Sequence, residues 1–350
     1  MHSQLTFHID FNNYKMWRLY IVIILYLSSC VGDKSDQQIN LIGEAQGTYY
    51  NIIYFDNLNR DLQFEIDSLL DDFDQSVSLW VPGSILSKVN NNDTAVRLDK
   101  YFTDNFYLSK KVAEETAGAF DFTIGPIVKA WGFGYDGNKQ VDSIIIDSLL
   151  GVVGFDKVDI VDNRIVKPHK NTTLDFNAIA QGYSVDMIGN FLESKQINNF
   201  LIDIGGEVMG RGKKVDGSSW KVGIERPATD PDDPRNLTAI ITLENKSVAT
   251  SGNYRKFIEK DGIRYSHMIN PATGYPAHHN LLSVSVITNN TALADAYATV
   301  CMIMGLEKSI AFIEDRSDLE AFFIYSTDAG DYDVYTTDGF SRLIINEYYK

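Results

Sequence analysis

Cysteine is nearly absent. The two in 350 residues, Cys30 and Cys301, allow one disulfide at most, which excludes a disulfide-built scaffold. Eight prolines and 25 glycines are too few for a collagen-like or low-complexity chain. Positive charge is also short: 31 Lys and Arg stand against 47 Asp and Glu, a net charge of −16. That balance speaks against a nucleic-acid-binding face, which shows a basic stripe. It also means that a phosphate ligand would need backbone N–H groups, a metal ion or both. The apolar run nearest the start, Leu19–Leu27, falls short of the roughly 20 residues of a membrane-spanning helix. What is present is ordinary globular material, 44% hydrophobic and 22% charged, so disorder of the low-hydropathy kind is excluded. The length allows one large domain or two smaller ones.

Lys15 and Arg18 precede the apolar run and small residues follow it, the pattern of a secretory signal. Its end, Leu27-Ser28-Ser29-Cys30, resembles a bacterial lipobox. That resemblance implies cleavage before Cys30 and a diacylglycerol thioether on its sulfur. Residues 1–29 are thus expected to be a lipoprotein signal peptide, 30–38 a lipid-anchored tether and 39–350 the folded domain. Met16 offers a second start within the long leader. The expected location is outside the inner membrane, on the periplasmic side, held by the lipid. Cys301 would then have no partner.

From Ile39 onward neither a linker nor a repeat interrupts the pattern. Strands are expected at 47–55, 200–204, 220–224, 239–243, 247–250 and 282–287, with a closing hairpin over 321–335. The spacing of apolar residues predicts helices over 59–73, 103–117, 142–150, 179–192 and 293–304, the last nearly all apolar. Residues 227–235 read as a loop. Strands and helices mix without regular βαβ alternation, which predicts an α+β domain with largely antiparallel sheets.

Four clusters carry candidate chemistry. Gly118–Pro126 (GAFDFTIGP), followed by Trp131-Gly132-Phe133-Gly134, sets a carboxylate, a hydroxyl and aromatics on a backbone shaped by glycine. It suits a flat heteroaromatic ligand, or simply a tight turn over aromatic core. In Asp175–Asp186 (DFNAIAQGYSVD), Asp175 ends a strand-like segment before a helix, where free N–H groups meet a cleft; it reads equally as a helix cap. Thr250–Arg255 (TSGNYR) reads as a hydroxyl-rich glycine turn, and His267 in Ser266–Pro276 is a plausible acid or base, although a lone His is more often structural. His278-His279 reads as a solvated pair. Asp295 and Thr299, at i and i+4, share a face of an otherwise apolar helix. A buried unpaired Asp is costly, and an oxygen-seeking cation such as Mg²⁺ would resolve the cost, as would a backbone hydrogen bond.

These clusters occur together and in order in one family. With Ser76–Asn90, FLIDIGGEVMGRG, WKVGIERP, HMINPATGYP and ADAYATVCMIMG, the sequence resembles the ApbE family, the FAD:protein FMN transferases, from Gly47 to about Leu306. The resemblance implies a single large T-fold-like domain. It implies transfer of FMN, through its phosphate, from FAD to a Thr or Ser hydroxyl of a partner flavoprotein, with AMP leaving. It places FAD contacts at Gln46, Trp80, Ala119, Phe120, Asp121, Asp175, Gln181 and Ile269, and Mg²⁺ on the backbone of Ala178 and on Asp295 and Thr299. It makes His267 the candidate base. Departures from the family pattern fall at Gln46 (usually Met), Gln181 (usually Lys or Glu), Asn270, Ala272 and Ala298. Two other readings use the same residues: an FAD pyrophosphatase giving FMN and AMP, and a non-catalytic flavin-binding lipoprotein.

Overall fold

In the computed structural model, which describes residues 36–133, 142–227, 236–253, 257–260 and 263–348, the period-two segments pair into one large sheet. In spatial order it contains Gln37–Ala45 (β1), Thr48–Asp56 (β2), Phe200–Ile204 (β5), Glu207–Arg211 (β6), Lys246–Gly252 (β9), Leu281–Thr288 (β14), Glu320–Ser326 (β15) and Tyr332–Thr336 (β16). Every neighbouring pair is antiparallel. A smaller sheet is ordered Ile344–Glu347 (β17), Leu237–Leu243 (β8), Trp220–Glu225 (β7). Three two-stranded ribbons complete the strands: Asp159–Val161 with Arg164–Val166 (β3, β4), Phe257–Lys260 with Ile263–Ser266 (β10, β11), and Ile269–Asn270 with Tyr275–Pro276 (β12, β13).

Alternation along the strands sets the layers. Tyr50, Ile52 and Tyr54 of β2, with Phe200, Ile202 and Ile204 of β5, point to one face and pack under the helices. Phe55, Val208, Val248, Ile287, Phe322 and Ile324 occupy a second core with Trp220, Ile224, Ile241 and Leu243 of the small sheet. The result is three layers: helices, large sheet, small sheet.

The helices are Gln63–Val77 (α1), Ile85–Asn90 (α2), Lys100–Glu115 (α3), Gly125–Trp131 (α4), Ser143–Leu150 (α5), Ala180–Ser194 (α6), Thr291–Met304 (α7), Leu306–Glu314 (α8) and Asp338–Ser341 (α9). α1 buries Ile66, Leu70, Phe73 and Val77, an amphipathic stripe at helical spacing. α7 is buried almost all round, and Cys301 within it is a free thiol. Asn290 caps α7 through Leu293 N (2.9 Å), and Asp186 reaches across from α6 to accept from Thr291 N (2.8 Å) and Ala292 N (2.9 Å). The two helices touch at Gly182, where a Cβ would stand 2.4 Å from the carbonyl oxygen of Thr291. Only glycine lets α6 come this close.

Several expectations shift. α1 starts at Gln63, not Asn59, because Asn59 adopts a left-handed turn (φ 52°). α3 starts at Lys100 because Asp99 caps it, accepting from Phe102 N at 2.8 Å. No strand leads into Asp175; that segment is irregular, and Asp175 N donates to Phe122 O at 2.7 Å. Thr250, Ser251 and Gly252 form no turn but end β9, opposite Ser283–Ser285 of β14. His279 is not simply solvated, since its Nε2 meets Met302 O at 2.8 Å at the end of α7. β1 begins at Gln37, inside the segment read as tether. The leader with Cys30, and residues 228–235 of the expected loop, lie outside the described residues.

Candidate active site

Two tight turns fix the place of the site. The β1–β2 turn, Gln46-Gly47, and the β5–β6 turn, Gly205-Gly206, adopt positive φ side by side at one end of the large sheet. Gly205 N donates to Tyr49 O at 3.0 Å and joins them. Around this end opens a cleft of about 1060 Å³. It is bounded by α6 and α7, by the Phe120–Phe122 turn, by the His267–Ile269 segment and, across the sheet end, by β7.

Eleven of the twelve residues singled out for FAD, cation or base line this cleft: Gln46, Trp80, Phe120, Asp121, Asp175, Ala178, Gln181, His267, Ile269, Asp295 and Thr299. Ala119 does not. Its N–H is bonded to Thr116 O (3.1 Å) after the left-handed pair Ala117-Gly118, and its side chain packs against the main core.

At the inner end α7 presents Asp295 and, one turn later, Thr299. Asp295 is buried, and its Oδ2 accepts from Gly182 N at 3.2 Å, the contact that the bare Gly182 makes possible. Burial pushes its carboxyl up to about 7. The Thr299 hydroxyl lies 3.4 Å from the Ser251 hydroxyl of β9. Beside them Glu207 opens β6, also buried, and takes a hydrogen bond from the Gln181 amide, which also donates to Ile204 O at 2.8 Å. Burial first, then the neighbouring Asp295 charge, hold Glu207 well above the usual carboxylate range. Two carboxylates thus share a buried corner. Among the described residues no group of three or more His, Cys, Asp or Glu is arranged around a metal. The donors that the resemblance implies are of another kind: the Asp295 carboxylate, the Thr299 hydroxyl and the Ala178 backbone, from three residues that line this cleft. An all-oxygen set with so few protein ligands fits a hard divalent cation that completes its shell with water and phosphate.

The middle of the cleft is shaped by committed polar groups. The Asp121 carboxylate accepts from Thr123 N (2.7 Å), Thr123 Oγ1 (2.6 Å) and Phe155 N (3.0 Å), and so holds the turn that carries Phe120. Asp175 accepts from Asn177 N at 2.8 Å, and burial raises its carboxyl. The Gln46 amide nitrogen is buried with no hydrogen-bond partner among the described residues, a cost that a ligand acceptor would remove. At the outer end Trp80 is 53% exposed, and the His267 ring meets Phe133 edge-on, centroids 6.3 Å apart. Aromatic surface at the mouth suits a flat ring, and the buried oxygens further in suit a cation that would carry an anionic group.

Sequence reasoning missed Glu207, Asn51, Ser251 as a strand residue, and Lys221, all of which line the cleft. Glu207 carried a signal: it follows a Gly-Gly turn that interrupts an apolar strand.

The ApbE family model matches residues 46–323. An FAD:protein FMN transferase of Vibrio cholerae is 32% identical over 323 residues, 90% of this chain and 95% of that protein. The solved flavin transferase ApbE from Vibrio cholerae superposes with a TM-score of 0.78 at 31% identity, covering 88% of this chain and 99% of that one. The apo flavinyl transferase ApbE of Pseudomonas stutzeri gives 0.79 at 28% identity, covering 90% and 99%. Cleft, fold and sequence agree, and the chain belongs to the ApbE family.

Proposed function

We propose that the protein is an Mg²⁺-dependent FAD:protein FMN transferase that places FMN on a Thr or Ser hydroxyl of a target flavoprotein and releases AMP. The observation that carries this is the Asp295 corner. A buried carboxylate with one backbone donor sits beside a hydroxyl and a second carboxylate, at the inner end of a cleft with an aromatic mouth. Simple storage of a flavin does not call for it.

Asp295, Thr299 and the Ala178 carbonyl would hold the cation, which when bound offsets the pyrophosphate charge and polarises the transferred phosphoryl group. Trp80 and Phe120 pack against flat rings of the substrate. Gln46 offers its orphaned N–H. The acceptor oxygen bonds to the FMN phosphorus as the P–O bond to the AMP phosphate breaks. His267 takes the hydroxyl proton, a role its near-neutral intrinsic pKa suits. Incubation with FAD and Mg²⁺, with and without a candidate flavoprotein, tests the reading. FMN on the acceptor supports it; FMN and AMP at the same rate without acceptor would make the protein a pyrophosphatase.

Lipidation at Cys30 belongs to the same proposal. It is supported by the lipobox and would tether the enzyme to a membrane on the periplasmic side, where exported flavoproteins are its partners.

A further inference from the structure

The cleft has a second lobe that none of the residues assigned to FAD, cation or base occupies. Past the paired turns it continues onto the other face of the large sheet. There it is lined by Tyr49 and Asn51 of β2, Leu201 and Asp203 of β5, and the unbroken run Lys221–Glu225 of β7. Side chains alternate along a strand, so five consecutive residues on one cavity mean that the backbone edge borders it. β7 ends its sheet: β8 pairs with it on one side, and among the described residues no strand pairs on the other. Every second residue of such a strand directs its N–H and C=O outward, toward the lobe. Gly223 at the middle puts no side chain over this edge.

A separate observation points to a ligand in the same place. Asn51 lines the lobe, and its Oδ1 is buried with no hydrogen-bond partner among the described residues.

We propose that the β7 edge receives the acceptor polypeptide as an added, extended strand. This rests on the transferase reading above. Backbone pairing with Lys221–Glu225 holds the segment, and the Asn51 carbonyl accepts one of its donors. The chain then carries its Thr or Ser hydroxyl over the Gly205-Gly206 turn toward Asp295 and Thr299. Recognition is mainly of main chain, so the acceptor hydroxyl must lie in a segment that is extended or can become so.

The test is amide hydrogen exchange of the full chain with FAD and Mg²⁺. The probe is a peptide from a flavoprotein that the enzyme modifies, with its Thr replaced by Val so that it binds without reacting. The expected result is at least about tenfold slower exchange at alternate amides of residues 220–225 on adding peptide, and no change with FAD alone. N-methylation of alternate peptide amides should remove both the protection and, in the Thr-bearing parent, FMN transfer. If the parent gains FMN while β7 exchange is unchanged by the Val peptide, the docking inference falls and the transferase reading stands. Protection by FAD alone would give the edge to the nucleotide and also overturn it. If no Thr-bearing acceptor gains FMN, the transferase reading falls and takes the inference with it.

Discussion

Asp295 is buried at the inner end of the cleft, beside Glu207. Burial disfavours the charged form of the Asp295 carboxyl and pushes it up to about 7. A carboxyl raised above its unfolded value stabilises the fold below that unfolded value and loses this contribution as pH climbs through the folded one. The cation-free protein should therefore lose thermal stability as pH rises from about 4 to about 7. Asp295→Asn should flatten that decline and raise the melting temperature at pH 8. The same variant should lose Mg²⁺ binding by calorimetry and about 10²-fold or more in FMN transfer, the order seen when one charge-stabilising group is removed. A variant with full activity in a chelator would refute the assignment. In the wild type, cation affinity should rise with pH up to about 7 and level off above it, because only the ionised carboxylate binds. His267 is tested differently. His267→Asn keeps size and some hydrogen bonding but cannot take a proton near neutrality. It should bind FAD normally, slow transfer by roughly 10²–10⁴-fold and flatten the acidic limb of the pH–rate profile. A joint fall in FAD affinity, stability and rate would instead show a histidine that only shapes its loop.

At the scale of elements, the site depends on how closely α6 and α7 approach. Gly182→Ala would push a methyl into the Thr291 carbonyl, against backbone that cannot give way cheaply. The expected cost is about 1–3 kcal/mol of stability by chemical denaturation. Cation affinity should fall further than in a destabilised control of equal cost, because the Gly182–Asp295 bond opens. Equal affinity loss in both would deny the helix contact a positioning role. Most elements were legible because their signals are local. The 3–4 spacing of Ile66, Leu70 and Phe73 and the apolar α7 were plain in the sequence, as was the FLIDI strand before Gly205-Gly206. The misread segments lacked such signals. Thr250–Gly252 has the composition of a turn, yet β14 pairs with it and keeps it extended. The segment before Asp175 looks like a strand but finds no ladder partner, and bonds instead to the Phe122 turn. The partners of Asp186, Thr291 and Ala292, are about a hundred residues away, beyond any local pattern.

For the whole molecule, strand order was beyond local reading. Nothing in β9 announces that it lies between β6 and β14, or that β7, β8 and β17 leave the large sheet to cover its second face. The candidate site was more legible than the topology. Its residues cluster in short glycine-marked motifs, and eleven of the twelve that the family resemblance singles out line one cleft. Ala119 packs against the core because adjacent residues in a tight turn face different ways, and Glu207 was missed because its place in the cleft appears only once Asp295 stands beside it. The N-terminal segment adds an expectation about location. Cys30→Ala should move the protein from the membrane fraction to the soluble fraction, with the leader retained. A wild type already soluble and unprocessed would remove the lipid anchor from the account.

The central claim is phosphoryl-linked transfer of FMN to a protein hydroxyl at the Asp295 corner. It is tested most directly by the intact mass of a purified candidate flavoprotein after incubation with the enzyme, FAD and Mg²⁺. The account predicts a mass gain of one FMN on a Thr or Ser, AMP released in equal amount, and both products formed about 10²-fold or more slowly with Asp295→Asn. An unmodified acceptor beside full release of FMN and AMP, or transfer that persists undiminished in Asp295→Asn, would contradict it.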